Sequence, residues 1–67
     1  MSREAKFMIY CLERYRHAKS LSGREAVALF ARCHVMDYVM RFFESLHVVS
    51  EPLILKDIDE YISSQGG

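Results

Sequence analysis

The chain contains no asparagine, a single glutamine at Gln65, one proline at Pro52, and only one glycine, Gly23, ahead of the Gly66-Gly67 pair that ends it. Each scarcity removes a class of function. Without asparagine, and with glutamine confined to the tail, the chain has few of the side chains that read base edges in a DNA groove. One internal glycine cannot build the glycine-rich loop whose backbone N–H groups cradle phosphates. No apolar run approaches the roughly 20 residues that a membrane-spanning helix needs. The opening MSREAKFMIYCLERYR has an apolar stretch of only six residues, followed by ERYR and no small-residue cleavage site. It does not have the layout of a secretory signal, so a cytoplasmic protein is expected.

Net charge is also lacking, since nine bases are matched by nine acids. The balance hides a division, because residues 1–32 carry seven bases against three acids and residues 33–67 carry two against six. This sequence dipole either steers an acidic partner to the first half or lets the two halves attract each other within one fold.

What is present is apolar content, at 51% of 67 residues. That is too hydrophobic for disorder and too short for two cores, so residues 1–62 are read as one domain with residues 63–67 as a flexible tail. A core of this size supplies roughly 3–5 kcal/mol net, and small folds therefore often recruit a partner chain, another protein or a second copy. Cys11 and Cys33 fall in helical apolar patterns and read as buried free thiols in preference to a disulfide or metal site.

The expected fold is mainly all-α, a bundle of three to four helices with a helix-turn-helix-like outline. Ala5, Met8, Ile9, Leu12 and Tyr15 give the first helix, over residues 3 to about 18, its apolar stripe, widened by Phe7 and Cys11. LSGRE opens the second, with Ser22 and Glu25 as a capping box and Leu21 as a staple; Ala26, Leu29, Phe30 and Cys33 point inward. A third helix is expected from Met36 to Leu46, with Met36, Val39, Met40, Phe43 and Leu46 inward. HVVSEPLIL, with apolar stretches on either side of Ser50-Glu51-Pro52, leaves open a short β-hairpin over residues 47–55, although three-residue strands are marginal by themselves. A last helix is expected from an Asp57 cap, with Ile58, Tyr61 and Ile62 as its apolar edge.

Tyr38 and Phe42 form a second apolar pair on the third helix, and they are either further core or an interface. Rimmed by Arg41 and Ser45, they are the candidate protein-docking residues, because aromatics concentrate at interface centres and an exposed apolar patch on a small domain marks a partner. The alternative is a nucleic-acid regulator using a basic patch of Arg14, Arg16, Lys19 and Arg24 at the corner of the first two helices. Its weakness is the third helix itself, whose outward Asp37, Tyr38, Arg41, Phe42 and Ser45 offer one base and one acid for groove reading. Catalysis is not expected. His17, His34 and His47 have no partners at metal or triad spacing, and Cys33 and His34 diverge by about 100° as helix neighbours. No metal or other cofactor is implied.

Three stretches, FMIYCLERYRHAKSLSGREAVALF, VMDYVMRFFESLH and LILKDIDEYI, resemble a family of short bacterial domains of unknown function. The resemblance spans roughly residues 5 to 62 and rests on LSG, the Asp37-Tyr38 and Leu46-His47 pairs, and DIDEYI. LHVVSEPL departs from the more polar connection expected of that family. The resemblance implies an accessory protein encoded near toxin-like, ADP-ribosyltransferase-like genes, hence an antitoxin-style partner. It carries no catalytic or ligand residue onto this chain.

Overall fold

Ser2 holds extended backbone at φ −71° and ψ 164°, and its hydroxyl accepts from the Ala5 N–H at 3.0 Å, which starts the first helix. In the computed structural model, which describes residues 1–66, five helices follow: α1 (Arg3–Ala18), α2 (Gly23–Arg32), α3 (Val35–Arg41), α4 (Phe43–Leu46) and α5 (Glu51–Ser64). Among the described residues there is no strand. The radius of gyration, 10.9 Å, equals the roughly 11 Å of a compact chain of this length.

α1 lies against α2, α3 and α5, and α3 bridges α2 and α5. The inward face of α1 is centred on Cys11 and Tyr15, with Phe7, Met8 and Leu12 packed beside them. Ile9, expected inside, is 52% exposed. Two residues from Cys11 is about 200° around the helix, so a stripe centred on Cys11 turns Ile9 to solvent. Both cysteines are buried free thiols, and burial pushes the Cys11 thiol up to about 12.

α1 ends in a Schellman turn. Ser20 sits in the left-handed region at φ 57°, its N–H donates to His17 O at 3.3 Å, and Leu21 N–H reaches Arg16 O at 2.9 Å. Ser22 then caps α2 with both halves of the capping box formed: Glu25 N–H to Ser22 Oγ at 3.0 Å, and Ser22 N–H to Glu25 Oε1 at 2.8 Å. Ala26, Phe30 and Cys33 are buried and Leu29 packs at their edge, as the periodicity requires.

The hairpin over residues 47–55 is not formed. Ser50 is extended, at φ −71° and ψ 158°, and α5 begins at Glu51 with Pro52 in its first turn. A proline there lacks only an N–H that no intrahelical carbonyl could have accepted. The drive is Ile54, Ile58 and Ile62, spaced four apart and all buried, which no three-residue strand could place on one face. Asp57 is therefore no cap but a mid-helix residue. α5 also runs two residues past the boundary drawn at Ile62, and Gly67, the end of the expected tail, lies outside the described residues.

The expected third helix is broken at Phe42, whose φ of −106° and ψ of 22° separate α3 from the single turn of α4. Val39, Phe43 and Leu46 are buried as expected, but the inward stripe is completed by Val35, while Met36 and Met40 face solvent. His47 closes α4 with its ring stacked on Phe43 at 4.5 Å and Nδ1 within 2.7 Å of Phe43 O, where the protonated nitrogen donates to that carbonyl.

Candidate interaction site

His34 fixes how α3 leaves α2. It takes the left-handed conformation at φ 58°, and its N–H donates to Ala31 O at 3.3 Å. Val35 can thus begin a new helix three residues after α2 ends. Val35 and Val39 then anchor α3 in the core, and the remaining residues are distributed around the solvent side at 100° steps. Asp37 and Arg41 form the outermost ridge. Met36 and Met40 lie on one flank, and Tyr38 and Phe42 lie on the other.

The Tyr38 flank meets α5. Tyr38 stacks on Tyr61 with centroids 4.1 Å apart and planes 16° from parallel, and Phe42 packs against Tyr38 at 5.0 Å. The Tyr38 hydroxyl donates to Asp57 Oδ1 at 2.6 Å. Burial raises the Tyr38 phenol to about 12, and the carboxylate that accepts its proton adds to the shift. Beside this aromatic ledge is an open cleft of about 390 Å³ lined by His34, Asp37, Tyr38, Arg41 and Tyr61.

The two members of the pair differ in their surroundings. Tyr38 is half-buried with its hydroxyl engaged, whereas Phe42 is 42% exposed. Arg41 is exposed on the cleft wall; Ser45 is exposed on α4 and does not line the cleft. Sequence reading missed His34, Asp57 and Tyr61 as parts of this surface. Asp57 and Tyr61 are one turn apart, a spacing that places both on one side of α5, but their facing Tyr38 depends on how α5 packs.

The basic corner is organised differently. Arg14 Nε lies 2.9 Å from Glu51, which also accepts from the Tyr10 hydroxyl at 3.1 Å. Lys19 Nζ lies 2.7 Å from Asp59, whose other oxygen accepts from the Tyr15 hydroxyl at 2.7 Å. Arg16 pairs with Glu13 and also donates to Leu21 O at 3.3 Å. Arg24 is exposed at the start of α2. Three of the four basic-patch residues thus face acids of the same chain, which cancels much of the local field that a phosphate backbone would require.

These pairings shift the acids in the expected direction. The Arg14 hydrogen bond holds Glu51 below its usual range, helped by Tyr10. For Asp59, burial works against the charge, but the hydrogen bonds from Lys19 and Tyr15 outweigh it and the carboxyl is lowered.

A family described as proteins of unknown function, DUF3791, matches residues 6–65, from the first turn of α1 past the end of α5. The chain belongs to the DUF3791 family. That match takes in the whole α3–α5 surface and every helix core residue described above. No curated protein and no solved structure matches the chain. Among the described residues, no helix is long and apolar enough to cross a membrane.

Proposed function

We propose that this DUF3791 chain is a non-catalytic protein-interaction module that docks a partner on the aromatic face of α3. The observation that carries the reading is the ledge of Phe42, Tyr38 and Tyr61: a half-exposed phenylalanine on a pre-stacked tyrosine pair, with the ridge of Asp37 and Arg41 at its edge. Aromatics fixed in place by packing lose little freedom on binding, and such groups dominate interface energetics. The non-catalytic part of the proposal is supported by the thiols, which are buried and, for Cys11, held protonated far above neutral pH. The resemblance described above extends the reading to a bacterial, cytoplasmic accessory of a toxin-like protein. Nucleic-acid binding through Arg14, Arg16, Lys19 and Arg24 is disfavoured by the intramolecular pairing of the first three.

The test is photocrosslinking in cells with a photoreactive phenylalanine analogue at Phe42, compared with the same probe at the exposed Ala28 on α2. Protein adducts are expected at position 42 and not at 28. Equal yields at the two positions would overturn the docking role.

A further inference from the structure

We propose that the partner of the α3 face is a second copy of this chain, related by a two-fold axis that crosses α3 between Asp37 and Arg41. The inference rests on the interaction reading above and adds the identity of the occupant. Its basis is self-complementarity. A two-fold interface requires the same patch on both sides, so each feature must meet its own kind or its opposite at equal distance from the axis. Asp37 and Arg41 are four residues apart on the outermost ridge of α3, about 6 Å along the helix, and among the described residues neither forms an ion pair. Antiparallel apposition of two α3 helices places Asp37 of each against Arg41 of the other.

The same operation keeps the flanks in register. An axis lying across the helix reverses its direction but leaves left and right unchanged, so Met36 and Met40 meet the methionines of the second copy. Tyr38 and Phe42 meet the second aromatic pair. Charge falls on opposite charge, and apolar surface on apolar surface, with no side chain of α3 left facing an unlike group. Met36 and Met40 are 37% and 49% exposed and Phe42 is 42% exposed, so the patch has apolar area to bury. A chance partner would have to match this pattern, whereas a second copy matches it by symmetry. Leu53, one turn before Asp57 on the same side of α5, is 55% exposed.

Seven residues of helix rise only about 10 Å. The contact therefore belongs to the small class, below about 1,200 Å² in total, and its dissociation constant is expected to be micromolar. The experiment is solution mass by light scattering on the 67-residue chain from about 1 μM to about 1 mM, a range that brackets such an affinity. The variants are Asp37→Arg, Arg41→Asp, and an equimolar mixture of the two. Both positions are exposed, and helical circular dichroism checks that folding is retained.

The parent is expected to pass from one-chain to two-chain mass. Each single reversal sets like charges opposite each other twice and weakens the dimer about tenfold or more. In the mixture, each variant supplies what the other lacks, so a heterodimer within about threefold of the parent affinity is expected. A parent that keeps one-chain mass throughout overturns the inference, as does a mixture no tighter than its components. Adducts at Phe42 with other proteins alone, alongside a monomeric parent, would leave the docking role standing and remove the second copy.

Discussion

Ser20 and His34 are the residues at which the backbone itself is under constraint, since both hold left-handed conformations without being glycine. Such a conformation costs an L-residue roughly 1–2 kcal/mol. Ser20 is exposed and ends α1, so Ser20→Gly is expected to raise stability by up to about 1 kcal/mol, part of the gain being offset by the freer unfolded chain. Chemical denaturation measures it directly. Tyr38 offers a second residue-scale test. Its phenol is raised to about 12, so the folded state holds that proton more tightly than the unfolded one. The stability this contributes is complete below about pH 10 and is lost as pH rises through the folded value. Tyr38→Phe is expected to cost about 1 kcal/mol at neutral pH, the usual net contribution of a hydrogen bond. It should also remove one late-ionising phenolate signal from an alkaline ultraviolet titration, while the Tyr15 phenol, raised further still by burial and its Asp59 hydrogen bond, keeps its own.

Among the elements, α5 is held to α1 by two similar contacts, Tyr10 and Arg14 on Glu51, and Tyr15 and Lys19 on Asp59. In each, a tyrosine of α1 and a base four residues on, Arg14 within α1 or Lys19 at its C-cap, share one acid of α5. Both acids have lowered folded pKa values. The stability they contribute is therefore present above their unfolded values, near 4 to 5, and is lost as pH falls through the folded ones. The denaturation midpoint is expected to be level above about pH 5 and to decline below it. The Glu51→Gln, Asp59→Asn double variant should show a shallower decline over that range; an unchanged acid limb would show that other carboxylates carry it. At α2, Ser22→Ala removes one arm of the capping box and is expected to cost about 1 kcal/mol, read by the same denaturation.

Across the whole molecule, the opposite charges of the two halves meet inside one fold. Arg3 and Glu44 approach to 3.9 Å, and with Arg14–Glu51 and Lys19–Asp59 they join a base from the first half to an acid from the second. All three pairs are substantially solvated, so each contributes little net stability. The larger consequence is for partners, because the basic corner presents little uncompensated charge. The chain is accordingly expected not to be retained on duplex DNA even at low salt. Salt-sensitive retention that disappears in an Arg14, Arg16, Lys19 triple alanine variant would instead restore the nucleic-acid reading.

The amino-acid order by itself determined the helical character, the Ser22–Glu25 capping box, and the buried side of α2. Those features depend on residues three or four apart, and such spacing is a property of the chain before it packs. Whether residues 47–55 form a hairpin stays open in the sequence for a related reason: Val48, Val49, Leu53, Ile54 and Leu55 resemble strand residues locally, and only the docking of Ile54, Ile58 and Ile62 into one core makes them a turn and a helix. Tertiary structure alone decided that Ile9 faces out, that Asp57 receives the Tyr38 hydroxyl, and that Tyr61 stacks beneath the candidate interaction face. Tyr38 and Tyr61 are 23 residues apart in sequence, and no local periodicity connects them. Their contact exists because α3 and α5 bury their valine and isoleucine stripes in the same interior, which brings their flanks together at the surface.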